Sequence, residues 1–158
     1  MHADRLMKSS IKKELLIKIK YRAMTLLARR EHSFLNLSDK LICIFPDESK
    51  QVYEIVLELK KKNLQSDLRF AEMITTVRIR KCYGQNRIKA ELKSHKIDND
   101  IIELSLTKCD ADWVKIAKKA LFKKYGLSSC DEFNDKIKRS NFLKYRGFTT
   151  EQITECFK

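Results

Sequence analysis

Turn-forming residues are scarce in this chain. Its 158 residues include 3 glycines and 1 proline, where average usage gives roughly 11 and about 8. A β-sandwich or barrel needs a turn every ten residues or so, built mostly from Gly, Pro, Asn or Asp, and so little Gly and Pro supports few of them. Loops of the G-x-G-x-x-G or G-x-x-x-x-G-K type, which cradle phosphates with backbone amides, are excluded because no two glycines lie close enough. Long apolar runs are missing as well. The longest is Leu41 to Phe45, far short of the roughly 18 residues a spanning helix needs. The opening MHADRLMKSSIKKE has no uninterrupted apolar stretch of the secretory type, so the expectation is a cytoplasmic protein.

Reactive groups are equally sparse. Cys43, Cys82, Cys109, Cys130 and Cys156 form no C-x-x-C pair and are odd in number, which argues for free thiols in a reducing compartment. The histidines are His2, His32 and His95, and none shares a metal-ligand spacing with a cysteine or another histidine. There is no G-x-S-x-G elbow and no H-E-x-x-H helix. Acidic groups such as Asp110/Asp112 and Asp131/Glu132/Asp135 fall at helix starts, where carboxylates complement the dipole. No enzyme, cofactor or metal is expected.

What the chain does have is positive charge and helical periodicity. It carries 34 Lys+Arg against 21 Asp+Glu, a net +13, with 43% hydrophobic residues, too many for a disordered chain. Ile11, Leu15, Ile19, Ala23 and Leu26 make one helical stripe, with Ser10 as its N-cap. A second stripe runs Trp113, Ile116, Ala117, Ala120, Leu121. Thr149 to Gln152 has the capping-box spacing, and Asp67, Asp98 and Asp110 are further cap candidates. The glycines follow Lys-Cys-Tyr, Lys-Lys-Tyr and Lys-Tyr-Arg, so Gly84, Gly126 and Gly147 read as left-handed residues closing basic helix ends.

A repeat underlies these signals. Leu41, Leu92 and Leu143 recur at an interval of 51, as do Ile55, Leu106 and Phe157. Ser33 matches Gly84, Leu37 matches Ile88, Ile97 matches Phe148, and Ile102 matches Ile153. The third unit gains its extra length within Leu127 to Asp135, and the first has Pro46 where the others have Ile97 and Phe148. The expected fold is all-α, with tandem three-helix repeats stacked into an elongated body that share apolar faces. Residues 1–63 form an N-terminal helical extension plus the first repeat, 64–108 the second and 109–158 the third.

Basic residues crowd the later repeats. Candidate contacts to a partner are Arg78, Arg80, Lys81, Arg87, Lys89 and Lys93, then Lys119, Lys123, Lys124, Lys138, Arg139 and Arg146. They suit a solvated surface, or a stripe attracted to phosphates or to an acidic protein. Tyr83, Tyr125 and Tyr145 lie among them, placed either to close helix ends against the core or to stack on bases.

The stretch Leu26-Leu27-Ala28-Arg29-Arg30-Glu31-His32-Ser33, followed by Lys40-Leu41, resembles the opening signature of the RecX family of bacterial recombinase regulators. The resemblance continues through Arg69-Phe70-Ala71-Glu72, Tyr83-Gly84, Arg87-Ile88 and Glu91-Leu92. It closes on Lys124-Tyr125-Gly126, Phe142-Leu143 and Arg146-Gly147-Phe148, covering about residues 20–158. Lys96 departs from the family pattern by replacing the glycine before Ile97. The resemblance implies tandem three-helix repeats without enzymatic activity. It also implies binding to the RecA filament on single- or double-stranded DNA, damping its ATPase, strand-exchange and coprotease activities; the chain itself is expected to be a monomer. The motif residues Arg29, Arg30, Glu31, His32, Ser33, Arg69, Phe70, Tyr83, Gly84, Gly147 and Phe148 are expected to be structural, with Arg30 and Glu31 suited to ion pairs between repeats. The alternative is a basic helical array that binds DNA directly, without RecA.

Overall fold

The structure, a computed structural model, describes residues 2–127 and 133–158, with side chains from Ser10 onward. The expected extra segment at Leu127 to Asp135, with Cys130, lies largely outside the described residues. Those residues form α1 (His2–Arg29), α2 (Phe34–Ile44), α3 (Ser49–Lys61), α4 (Asp67–Arg80), α5 (Gln85–Ser94), α6 (Asn99–Lys108), α7 (Trp113–Tyr125), α8 (Phe133–Arg146) and α9 (Thr150–Cys156). A 3-10 turn at Pro46–Glu48 separates α2 from α3. No strand occurs among the described residues. The all-α plan of three helix triplets read from the sequence is present. The chain divides into two compact units, Met1–Phe70 and Ala71–Lys158.

In the first unit Ile19 and Ala23 of α1 pack on Leu37 and Leu41 of α2 and on Val52, Ile55, Val56 and Leu59 of α3. Each fully buried aliphatic side chain is worth roughly 1.5–3 kcal/mol over an exposed one, so this stripe is what holds α1 to its partners. Two expectations fail at its start. The helix begins at His2, so Ser10 lies inside it rather than capping it, and Ile11 is exposed. Ala3, Arg5, Leu6, Met7 and Lys8 are good helix formers, and propensity carries the helix past the hydroxyl.

The 51-residue interval marks equivalent core positions. Leu41, Leu92 and Leu143 are all completely buried, on α2, α5 and α8. The turn after each of these helices differs. Pro46 restricts the residue before it, and Phe45 sits at φ −126, ψ 67 as α2 ends. Gly147 is left-handed at φ 92, and Lys96, its equivalent, adopts φ 57 despite carrying a side chain. The departure at Lys96 therefore keeps the turn rather than changing it.

One glycine is not what its sequence context suggests. Gly126 and Gly147 are left-handed, as expected for helix ends, but Gly84 has φ −82 and ψ 166 and is the N-cap of α5. Cys82 takes the left-handed position instead, at φ 57. Gly84 offers α5 no side-chain cap. Its amide donates to the Arg146 carbonyl at 2.9 Å, and the Asn86 amide donates to the Gly147 carbonyl at 2.9 Å. The last carbonyls of α8 thus satisfy amides at the start of α5, two orphan ends cancelling one another. In the first repeat Ser33 does this with its own hydroxyl, accepting from the Asn36 amide at 3.1 Å. Of the other expected caps, Thr149 and Gln152 form the capping box of α9, and Asp98 occupies the N-cap of α6. Asp112, rather than Asp110, caps α7.

Candidate nucleoprotein interface

Several of the basic candidates are used internally. Arg78 on α4 forks onto Glu91 of α5, with Nε and Nη2 each 2.6 Å from a carboxylate oxygen. That pairing holds the Glu91 carboxyl below the usual range and pushes the Arg78 guanidinium up. Lys89 meets Glu103 at 2.7 Å. Arg139, expected as a contact residue, is buried and pairs with Asp135 at 2.8 Å on its own helix. Its guanidinium also lies 5.0 Å from the Tyr125 ring. The sequence could not separate these from Arg80 or Lys93, because the difference depends on which helix face meets an acid.

Others face solvent. Arg80, Lys81, Arg87, Lys93, Lys119, Lys123, Lys124 and Lys138 are exposed, and none has a carboxylate within ion-pair distance among the described residues. On α7, Lys115, Lys119, Phe122 and Lys123 follow helical spacing on the side away from the buried Ala117 and Ala120. Phe122 is itself exposed, a mixed basic and aromatic surface that the lysine count alone did not reveal.

The tyrosines connect these cations to α8. Tyr125 packs edge-on to Phe142 at 5.8 Å. The Arg87 guanidinium lies 4.9 Å from the Tyr83 ring centre and 5.4 Å from that of Tyr145. Arg146 lies 4.7 Å from Tyr83 and donates through Nη1 to the Lys81 carbonyl at 2.9 Å. Arg78, Tyr83, Arg87, Ala90 and Glu91 line an open pocket of about 470 Å³. Among the described residues no group of His, Cys, Asp or Glu is arranged to hold a metal, and no helix is long and apolar enough to cross a membrane.

This arrangement sits in a chain with clear relatives. Residues 66–106 match a family model for the second three-helix domain of RecX. Over 139 residues the chain is 36% identical to the regulatory protein RecX of Acinetobacter baylyi, spanning 88% of this chain and 86% of that protein. The chain belongs to the RecX family. The RecX of Legionella pneumophila is 36% identical over 136 residues, and that of Escherichia coli K12 33% over 146. The crystal structure of RecX from Lactobacillus salivarius superposes with a TM-score of 0.74 over 90% of this chain and 94% of that one, at 23% identity. A second RecX crystal structure reaches 0.80 over 97% of this chain and 76% of that one, at 18% identity. Family membership gives the chain a regulatory role, and the named relatives are regulators rather than enzymes.

The RecX signature residues have definite places. Glu31 accepts from Arg69 Nε at 2.7 Å, tying the loop before α2 to the first turn of α4. The remaining Arg69 nitrogens hold the α3–α4 loop through the Asn63 side chain at 2.9 Å and the carbonyls of Asn63 and Leu64 at 3.0 and 3.2 Å. His32 is buried, its ring nitrogen 2.7 Å from Asn36 Oδ1, and its carbonyl accepts from Gln65 at 3.0 Å. Burial pushes the imidazole pKa down, reinforced by Arg30 and Lys40 and opposed by Asn36. Phe70 and Phe148 are buried, and Tyr83 is half-buried. Arg29 and Arg30 remain exposed at the end of α1. Sequence reasoning missed Gln65 and Asn63, polar loop residues whose roles depend on partners far along the chain.

Proposed function

We propose that this protein binds the RecA filament on DNA in the cytoplasm and damps its ATPase, strand-exchange and coprotease activities without catalysing a reaction. The observation that carries this reading is family membership across 88% of the chain. It is supported by exposed cations on α5, α7 and α8 that have no acidic partner among the described residues, as an interface with phosphates or an acidic surface requires. The test is the single-strand-dependent ATPase of RecA filaments with this protein titrated in at substoichiometric amounts. A falling rate is expected; an unchanged rate together with no co-sedimentation with filaments would sink the proposal.

The same exposed cations favour a second reading, direct binding to DNA. That reading predicts tight, salt-sensitive binding to naked duplex without RecA, abolished by reversing the charges of Arg87 and Lys93. If the reversal weakens filament inhibition and spares duplex binding, the RecA reading stands.

A further inference from the structure

Six side chains of the second unit alternate cation and ring without a break: Lys124, Phe142, Arg146, Tyr83, Arg87 and Tyr145. Successive separations are 4.3, 5.1, 4.7, 4.9 and 5.4 Å from charged centre to ring centre. The ladder starts at the end of α7, crosses α8 to Tyr83 and the start of α5, and returns to Tyr145 on α8. Cations rest on rings in many protein surfaces simply because their stems pack well there. Three observations set this ladder apart.

Its cations form no ion pairs. None of Lys124, Arg146 and Arg87 has a carboxylate within ion-pair distance among the described residues, whereas Arg78, Lys89 and Arg139 nearby each have one. Its ends are open: Arg87 and Lys124 are exposed, and Tyr145 leaves 74% of its surface in water. Finally, Tyr83 and Arg87 line the open pocket of about 470 Å³, so there is room beside them for a ligand. A guanidinium over a ring keeps N–H groups for another partner, and the carboxylate that shares the pocket and feels the Arg87 charge, Glu91, is already held in a fork by Arg78.

We propose that this ladder is a contact for single-stranded nucleic acid, in which Arg87 and Lys124 meet phosphates and Tyr145 stacks on a base. A single strand offers an anion and a flat face at every step, the pairing that stacking platforms in basic grooves use. A duplex hides its faces in the stack. An acidic peptide would satisfy the cations and leave the exposed ring of Tyr145 without a role. The contact rests on the filament reading above for its setting and deepens it by naming the strand and the residues that hold it.

The experiment is fluorescence anisotropy of a labelled oligothymidine with the full chain. The variants are Arg87→Ala, Tyr145→Ala and Tyr145→Phe, with Lys50→Ala on α3 as a control for the removal of charge, each checked by circular dichroism for helix content. Tyr145→Ala should weaken binding about 10-fold while Tyr145→Phe keeps it, because the ring and not the hydroxyl stacks. Arg87→Ala should weaken binding and flatten the slope of log affinity against log salt by about 0.7, the change expected when one phosphate fewer is neutralised. Lys50→Ala should change neither. Wild-type affinity in folded Tyr145→Ala, equal losses for Tyr145→Ala and Tyr145→Phe, or displacement by polyglutamate as readily as by unlabelled oligothymidine would each overturn the proposal. RecA ATPase assays on the same samples separate the two readings. Oligothymidine binding that depends on Tyr145, with the ATPase untouched by the wild-type protein, refutes the filament reading and keeps the contact. Inhibition of the ATPase with oligothymidine binding indifferent to Tyr145 does the reverse.

Discussion

Gly84 and Gly147 meet backbone to backbone. A Cβ on Gly84 would collide with the carbonyl carbon and oxygen of Gly147, and one on Gly147 would stand 2.5 Å from the Arg87 amide nitrogen. The two glycines let the end of α8 close on the start of α5, and the hydrogen bonds from Gly84 and Asn86 follow from that approach.

Gly84→Ala should therefore be costly although the backbone angles of Gly84 suit any residue. The methyl group meets backbone that cannot rotate aside, and the cap of α5 is lost with it. A destabilisation of about 3 kcal/mol is expected from overpacking and the weakened hydrogen bonds. Gly126→Ala is the comparison. There a Cβ meets nothing within 4 Å, and the penalty of about 2 kcal/mol comes from the backbone alone, at φ 65 and ψ −146, a region almost confined to glycine. In urea unfolding both variants should lower the midpoint, Gly84→Ala the more.

Lys96→Gly should stabilise the protein. A side chain at φ 57 costs about 1–2 kcal/mol, and the added backbone entropy of glycine in the unfolded chain returns part of that. A net gain of about 0.5–1 kcal/mol is expected, visible as a higher urea midpoint with an unchanged slope.

Removing Glu91 should leave the half-buried Arg78 without its partner. Glu91→Ala is expected to cost about 1–3 kcal/mol at pH 7. Because the folded-state pKa of Glu91 is lowered by the Arg78 guanidinium, the pair contributes fully above the unfolded value of about 4.3. That contribution is lost as pH falls through the lower folded value. The stability difference between wild type and Glu91→Ala should shrink below about pH 4 in unfolding curves taken across that range.

His32 should give the protein a second acid sensitivity. Its pKa is lowered in the fold chiefly by burial, so the native state binds fewer protons than the unfolded chain below about pH 6.5. Stability from this group is complete above that value and declines as pH drops through it toward the folded pKa. The decline is bounded at about 1.4 kcal/mol per pH unit for one proton. His32→Gln should flatten the dependence of unfolding free energy on pH between 7 and 5. An unchanged slope would place the sensitivity elsewhere.

The repeat was legible because its core is. Leu41, Leu92 and Leu143 must each be buried on the second helix of a triplet, and a fixed interval between buried leucines survives in the sequence whatever the surface does. The role of Gly84 was not legible. Lys-Cys-Tyr-Gly has the form of a helix end, but α4 closes at a left-handed Cys82, with the Tyr83 amide donating to the Arg78 carbonyl at 3.0 Å, and Gly84 is needed instead for a bare Cα opposite Gly147, far along the chain. The basic residues show the same limit. Arg78 and Arg80 are two positions apart, which on a helix places them on different faces. One meets Glu91 and the other meets water. The cation and ring ladder draws its members from α7, α8, α5 and the segment joining α4 to α5, and no local pattern announces it.

The two ways of starting a second helix have a consequence for how such a chain can be rearranged. Ser33 supplies part of the instruction for α2 from within the first repeat by accepting from the Asn36 amide, and Asp67 at the start of α4 supplies another part by accepting from the Phe34 amide at 2.8 Å. The instruction for α5 is split between Gly84 and the end of α8. Copying, swapping or excising the second repeat alone would strand half of it. Both second-helix starts thus lean on the repeat that follows, and neighbouring repeats are expected to be inherited, and engineered, together.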